Sequence, residues 1–262
     1  VRLLRTAVKG VALAAHIALY ALVAAVPPRG LDERFARWWC RLACRILGLR
    51  VRVSGQAHLG PALYVANHVS WLEVVALGAT TPLGFVAKDE VRRWPVVGRL
   101  AACSGTLFLR RHSARAASRT MTSVLERLAE GRSVAVFPEG TSTDGSDVLA
   151  FKASMFEAPA RLGCSVQPVS VRYPTDDGLS KVAPFIGDDE FLPHLIRVLG
   201  EPEIGLELAF APPLSGHART REELAHEARA AVTAGLARLR GGVVPVRVPD
   251  YWRSGERSLV AP

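Results

Sequence analysis

A histidine followed five positions later by a carboxylate, His68 and Glu73, is the spacing in this chain with the clearest chemical meaning. An imidazole can take a proton from an attacking hydroxyl while the carboxylate fixes its tautomer and stabilises the imidazolium. The stretch Asn67-His68-Val69-Ser70-Trp71-Leu72-Glu73 follows an apolar run, Ala62–Ala66, and opens a helical pattern. It therefore lies at the carboxyl end of a strand candidate, where α/β proteins place reactive groups. The spacing alone is common: seven histidines and 24 acids in 262 residues give roughly 0.6 such pairs by chance, and His217 with Glu222 is a second. That later pair leads into Thr220-x-x-Glu223, a capping-box pattern, and reads as a solvated helix cap.

Two further segments carry polar groups at strand ends. Residues 134–137 run into Pro138-Glu139-Gly140-Thr141-Ser142-Thr143, a loop able to bind an anion or form an oxyanion hole, although alone it reads first as a plain turn. Gly105 to His112 delivers Arg110 and Arg111 at the end of another strand candidate, which suits a phosphate or a carboxylate. Paired surface arginines are common in so Arg-rich a chain. Cys40, Cys44, Cys103 and Cys164 form no C-x-x-C pair, so they read as reduced, buried thiols facing the cytosol, and no metal site is expected. There is no G-x-S-x-G elbow, P-loop or dinucleotide fingerprint.

The elements that must position these residues alternate. Strand candidates are 51–53, 62–66, 84–87, 106–109, 134–137, 166–172 and 206–210; helix candidates are 71–78, 90–102, 114–130, 151–162, 190–199 and 222–240. This alternation predicts an α/β fold with a largely parallel or mixed sheet flanked by helices. The length suffices for one large domain. A net charge of +9 and a pI of about 10.0 suit an anionic partner, either nucleic acid or a membrane face. With 29 of the 33 basic residues arginine, and many alanines, part of that charge reflects the codon usage of a G+C-rich genome.

The N-terminus carries its own signal. The run 11–26 has no formal charge, comes after Arg5 and Lys9, and ends at Pro27-Pro28. Its length falls short of the ~20 residues of a usual spanning helix, leaving a signal peptide, a short spanning or re-entrant helix, or an interfacial helix open. Residues 31–48 interleave Arg34, Arg37, Arg41 and Arg45 with Phe35, Trp38, Trp39, Leu42 and Ile46, which suits an amphipathic helix on a membrane more than a plain surface helix. The expected organisation is membrane-anchoring helices over 1–48, an α/β domain over 49–240 and a tail over 241–262. Nucleic acid is not expected as a partner, because no recognition motif is present and the apolar N-terminus would be unexplained.

Taken in order, these segments resemble the glycerolipid (lysophosphatidic acid type) acyltransferase family. The family's N-H-x-S-x-x-D appears as Asn67 to Glu73 and its G-x-I-F-I-x-R as Gly105 to Arg111. Its F-P-E-G-T-R-S appears as Phe137 to Thr143, followed by Phe151-Lys152, and its V-x-P-V as Val166 to Val169. The resemblance covers roughly residues 30–215, and four ordered motifs are specific. It implies a domain on the cytoplasmic face of a bacterial inner membrane, monotopic or anchored by its N-terminal helices. It also implies acyl-CoA or acyl carrier protein as donor, a lyso-lipid acceptor, and no metal or organic cofactor. His68 is then the general base and Glu73 its orienter. Asn67, Ser70, Arg110, Arg111, Glu139, Gly140, Thr141 and Lys152 are expected at the substrates, with backbone N–H groups near Gly140 or Ser70 facing an oxyanion. Two positions depart from the pattern: Glu73 stands where Asp is usual, and Ser142 stands where an Arg helps hold the acceptor's phosphate. Lysophosphatidic acid is the first acceptor on this reading and lyso-ornithine lipid the alternative. A catalytically silent basic membrane-binding module is the reading from another class.

Overall fold

Ala62-Leu63-Tyr64-Val65-Ala66 is apolar throughout, and the strand it makes is buried at every position. A strand with no solvent face needs a neighbour on each edge and a layer on each face. The computed structural model, which describes residues 1–25, 33–93, 98, 101–102, 105–109 and 114–242, supplies both. The elements run α1 (Arg2–Ala25), α2 (Glu33–Leu47), β1 (Leu49–Ser54), β2 (Ala62–Ala66), α3 (Leu72–Thr80), β3 (Gly84–Lys88), β4 (Leu107–Leu109) and α4 (Ala114–Ala129). Then come β5 (Val134–Val136), α5 (Glu157–Leu162), β6 (Ser165–Arg172), the small hairpin β7 (Pro174–Thr175) and β8 (Gly178–Leu179), α6 (Phe191–Gly200), β9 (Ile204–Phe210) and α7 (Arg221–Arg240).

Seven strands form one sheet in the order β1-β9-β6-β2-β5-β3-β4, parallel throughout except where β6 meets β9. Alternate residues of β2 point to opposite faces. Ala62, Tyr64 and Ala66 join a core with α2, α3 and α6, whereas Leu63 and Val65 join one with α4, α5 and α7. The result is a three-layer α/β/α sandwich. The chain leaves β2 for β3, on the far side of β5, and leaves β5 for β6, on the far side of β2. Loops departing in opposite directions from neighbouring parallel strands open a crevice at their carboxyl ends, the usual ligand position in such sheets.

Pro168 lies within β6, an inner strand, where a missing N–H ordinarily breaks the ladder. Ala211 N–H donates to Pro168 O at 3.0 Å, but proline cannot return the bond. The Gln167 side chain does so instead: its Nε2 donates to Ala211 O at 2.6 Å, while its Oε1 accepts from His58 N–H at 3.1 Å. The V-x-P-V segment is thus a self-contained repair, with its glutamine buried.

Several expectations are modified. α1 is longer than the apolar run, because the basic turn before it is helical too. Lys9 Nζ donates to Leu47 O (3.1 Å) and Glu201 O (2.7 Å), and Arg5 donates to Gly200 O (2.9 Å). Those carbonyls are at the C-terminal ends of α2 and α6, where cations are favourable. The aromatic face of α2 also finds partners inside the protein: Trp39 stacks on His16 with ring centroids 3.3 Å apart, and Cys44 and Leu47 enter the core. The packed-helix alternative therefore accounts for much of α2. The other face of α1 stays open, with Leu3, Leu4, Val8, Val11 and Leu22 exposed, and Arg2–Tyr20 is long and apolar enough to cross a membrane.

The helix expected over 151–162 starts later, because Lys152 N–H donates to Pro138 O and holds the chain against the preceding loop. A 3-10 turn over Ala153–Phe156 then leads into α5. Of the helix expected over 90–102, a 3-10 turn at Asp89–Arg93 opens the segment, and most of 94–102 lies outside the described residues. The hairpin β7–β8 was not expected. Arg110, Arg111, Cys103 and residues 243–262 of the tail also lie outside the described residues.

Candidate active site

The chain turns from β2 into α3 over Asn67 to Trp71, and Glu73 occupies the first turn of the helix, where the helix dipole favours a negative charge. Its carboxylate reaches back over the turn. Oε1 accepts from Val69 N–H (2.7 Å) and Ser70 N–H (2.8 Å), and Oε2 lies 2.9 Å from Ser70 N–H. His68 Nδ1 is 2.8 Å from Oε1. A carboxylate can only accept, so Nδ1 carries the proton and Nε2 holds the lone pair. Nε2 makes no hydrogen bond among the described residues, and the histidine side chain is 24% exposed while Glu73 is fully buried. The Phe137 ring stacks on the imidazole at 4.1 Å and covers one of its faces. This is an imidazole held in the orientation a general base needs, with Nε2 open.

Tyr173 completes the arrangement. Its hydroxyl donates to Glu73 Oε2 at 2.6 Å from a buried position just past β6. Burial, then the adjacent Glu73 charge, pushes the phenol well above its ordinary pKa, so it remains a protonated donor. The sequence reading missed this residue; its only signal is an aromatic hydroxyl at the end of a strand next to β2.

Asn67 and Ser70, expected at the substrate, lie beneath the site instead. The Asn67 carboxamide is fully buried and exchanges both bonds with Val171, Nδ2 to O at 2.9 Å and N–H to Oδ1 at 2.8 Å. It pins the end of β2 to β6. Ser70 Oγ is buried without a partner among the described residues. Of the backbone donors expected near an oxyanion, Ser70 N–H is engaged by Glu73 and Gly140 N–H by Phe137 O at 3.0 Å.

The loop after β5 adjoins this turn. Thr143 N–H donates to His68 O at 2.8 Å, tying the two loops together. Glu139 is 5% exposed, and neither carboxylate oxygen has a hydrogen-bond partner of good geometry among the described residues. Burial, reinforced by the Glu73 charge and moderated by the His68 and Leu149 amides and Arg229, pushes it up to about 7. Gly140 takes φ +75°, and a side chain there would meet Lys152 Nζ at 2.5 Å. The Lys152 ammonium lies over Gly140 without a salt bridge or hydrogen bond of its own among the described residues, and Thr141 is exposed beside it. Ser142 Oγ donates to Phe185 O and so is turned into the protein. No group of three or more His, Cys, Asp or Glu side chains that could hold a metal ion occurs among the described residues.

Trp71 and His194 brace the other side. The indole N–H donates to His194 Nδ1 at 3.0 Å, and His194 Nε2 bonds Pro184 O at 3.0 Å. Burial lowers the pKa of this histidine, whose bonds define a neutral tautomer that ties α6 to the start of α3.

Comparison with known proteins shows the family. An acyltransferase family profile matches residues 50–172, and a relative is 40% identical over nine-tenths of both chains, so the chain belongs to the acyltransferase family and is an enzyme that transfers acyl groups. That relative is a lyso-ornithine lipid O-acyltransferase of Pseudomonas aeruginosa, aligned over 236 residues, 90% of this chain and 91% of the other. A 1-acyl-sn-glycerol-3-phosphate acyltransferase of Neisseria meningitidis is 33% identical over 169 residues, 64% of this chain and 66% of its own. The crystal structure of the 1-acyl-sn-glycerophosphate acyltransferase from Thermotoga maritima matches with a TM-score of 0.67 at 23% identity, over 91% of this chain and 95% of that one, which shows a shared fold.

Proposed function

We propose that the chain acylates the hydroxyl of a lyso-lipid, with lyso-ornithine lipid as its acceptor and acyl-CoA or acyl carrier protein as donor. The observation that carries the reading is His68, held through Nδ1 by Glu73 with Nε2 open. Nε2 takes the acceptor hydroxyl's proton as the oxygen attacks the thioester carbonyl. The tetrahedral adduct collapses, the C–S bond breaks, and the proton passes from the imidazolium to the departing thiolate, leaving an ester and a free thiol. No acyl-enzyme forms, and no metal or organic cofactor takes part. With the Ser70 and Gly140 amides engaged, we assign the developing oxyanion to the Lys152 ammonium, a reading supported by its position over Gly140.

Lyso-ornithine lipid thus takes precedence over lysophosphatidic acid, reversing the order read from the motifs. In support, the lyso-ornithine lipid relative aligns over 90% of the chain and the glycerol phosphate relative over 64%. Ser142 also stands where a phosphate-holding Arg is usual. Lysophosphatidic acid is the second reading, favoured by the free Lys152 ammonium. The open apolar face of α1 would bring the enzyme to the cytoplasmic side of a bacterial inner membrane, where both acceptors partition. The test is purified full-length chain with each donor and a panel of lyso-lipids, products identified by mass spectrometry. Acylation of none of them ends the proposal.

A further inference from the structure

Beside the loop after β5 lies a shallow hollow with four charged residues, Asp144, Lys181, Asp189 and Arg197, and with Pro184 and Ile186 among the others that line it. Two backbone bonds and one side-chain bond connect it with the turn that carries His68. Thr143 N–H donates to His68 O at 2.8 Å, Phe185 N–H donates to Val69 O at 2.9 Å, and Ser142 Oγ donates to Phe185 O. The residues flanking these anchors, Asp144, Pro184 and Ile186, are those that line the hollow.

Its charges are unequally committed. Asp189 and Arg197 neutralise each other at 2.6 Å. Lys181 is exposed and has no ion pair or hydrogen bond among the described residues. The Ser146 hydroxyl and amide hold the Asp144 carboxyl below its usual range; both use Oδ1, at 2.6 and 2.8 Å, leaving Oδ2 open. Arg240, the nearby cation, is engaged by Gly145 O (3.1 Å) and Ser146 O and keeps this loop against α7.

A phosphate monoester calls for cations on this loop, but past Gly140, where Lys152 lies, the loop presents a serine turned inward and then an ionised carboxylate. That pattern suits a ligand carrying a cation. An ornithine acylated on one amine keeps one ammonium and one carboxylate, a pair of charges complementary to Asp144 and Lys181. We infer that this hollow receives the zwitterionic amino-acid head group of the acceptor, with Asp144 meeting the ammonium and Lys181 the carboxylate. The inference rests on the acyl-transfer reading of His68 and Glu73. It explains how a loop lacking the phosphate-holding Arg still reads a head group, and it assigns selectivity to residues outside the four motifs.

The experiment compares lyso-ornithine lipid and lysophosphatidic acid of matched chain length, each with the full chain in nonionic micelles at saturating donor. Asp144→Asn and Lys181→Met should each raise KM for lyso-ornithine lipid about five- to tenfold and leave kcat within about twofold, as expected for a partly solvated ion pair. Asp144→Arg should lower the ratio of kcat/KM for lyso-ornithine lipid to that for lysophosphatidic acid by about 100-fold. Raising salt from about 0.05 to about 0.5 M should raise that KM in the unaltered chain and not in the Asp144→Asn/Lys181→Met double variant. Variants whose two acceptors shift in parallel, or not at all, overturn the inference while leaving acyl transfer intact. An unaltered chain that acylates no lyso-lipid overturns both.

Discussion

The loop that leaves β2 and the loop that leaves β5 lie side by side at the same end of the sheet, yet their polar groups are satisfied in opposite ways. Around His68 nearly every polar group has a partner: Glu73 accepts from two backbone amides, the imidazole and a buried phenol, and Asn67 locks the strand end to β6. Around Glu139 the carboxylate is buried without good partners, the Lys152 ammonium is unpaired, and Thr141 and Asp144 face solvent. A base must be held in one orientation through every turnover, so its supports belong to the protein. Groups that read a substrate need free valences for the ligand to fill. Unsatisfied polar atoms are costly in a core, and apart from Ser70 Oγ those of this crevice are on the Glu139 side, where a substrate could complete the network.

The comparison breaks most severely at His68. His68→Ala should lower kcat by about 10²–10⁴-fold, with folding and membrane binding unchanged, because no other described base shares its orientation. Single-turnover assays beside circular dichroism and flotation on vesicles check this, and turnover within tenfold of the unaltered chain would exclude the mechanism.

A smaller effect should separate holding from reacting. Tyr173→Phe removes one donor from Glu73 without touching substrate, so kcat should fall about tenfold while KM stays within about twofold. A merely structural tyrosine would instead lower the melting temperature and leave kcat per folded molecule unchanged. Steady-state kinetics normalised by active-site titration distinguishes the two.

On the opposite loop the expected effect is on stability. The Glu139 carboxyl is raised to about 7 in the folded chain, above its ordinary value of 4.5. The folded state therefore binds more protons than the unfolded one between those values, and stability falls as pH rises through that window. Glu139→Gln should remove this slope, making the variant relatively more stable at pH 8 than at pH 4.5 by about 3 kcal/mol, or roughly 6–12 °C in melting temperature. Parallel melting curves for the two proteins across that range would contradict the assignment.

The difference between the loops also explains what the sequence could disclose. His68 and Glu73 are legible because a strand, a turn and the first turn of a helix bring residues five apart together by local geometry. The α/β alternation and most strand limits are legible for a similar reason, since apolar runs bounded by turns are local patterns. Tyr173 is 100 residues from the carboxylate it supports, and only the placement of β6 beside β2 unites them. Asn67 and Ser70 illustrate the opposite case. Motif position suggests a place at the substrate, whereas both side chains are buried, Asn67 bonded to Val171 and Ser70 Oγ without a partner among the described residues. For α2, its amphipathic face is evident from spacing, but whether lipid or protein covers that face depends on α1, whose His16 and Tyr20 meet Trp39.

The smallest expected effect makes the most direct use of the comparison. His217 and Glu222 have the same spacing as His68 and Glu73, so any argument from spacing alone treats the pairs alike. They are built differently. Glu222 lies 2.8 Å from Arg221 in the first turn of α7, and His217 is exposed, its backbone N–H donating to Ser215 Oγ at 3.2 Å. The strand before them, β9, ends seven residues short of His217 rather than against it, and no buried donor among the described residues holds the carboxylate. The capping box beside them, Thr220 with Glu223, starts the helix without help from His217. His217→Ala should therefore keep kcat and KM within about twofold and stability within about 0.5 kcal/mol, the usual range for surface substitutions. Parallel purification with His68→Ala makes the comparison internal: two histidines, one spacing, and a difference in kcat of at least about 100-fold. If His217→Ala lost activity to a similar degree, an unsupported imidazole would suffice for turnover, and the role assigned to the buried Glu73–Tyr173 support would fail.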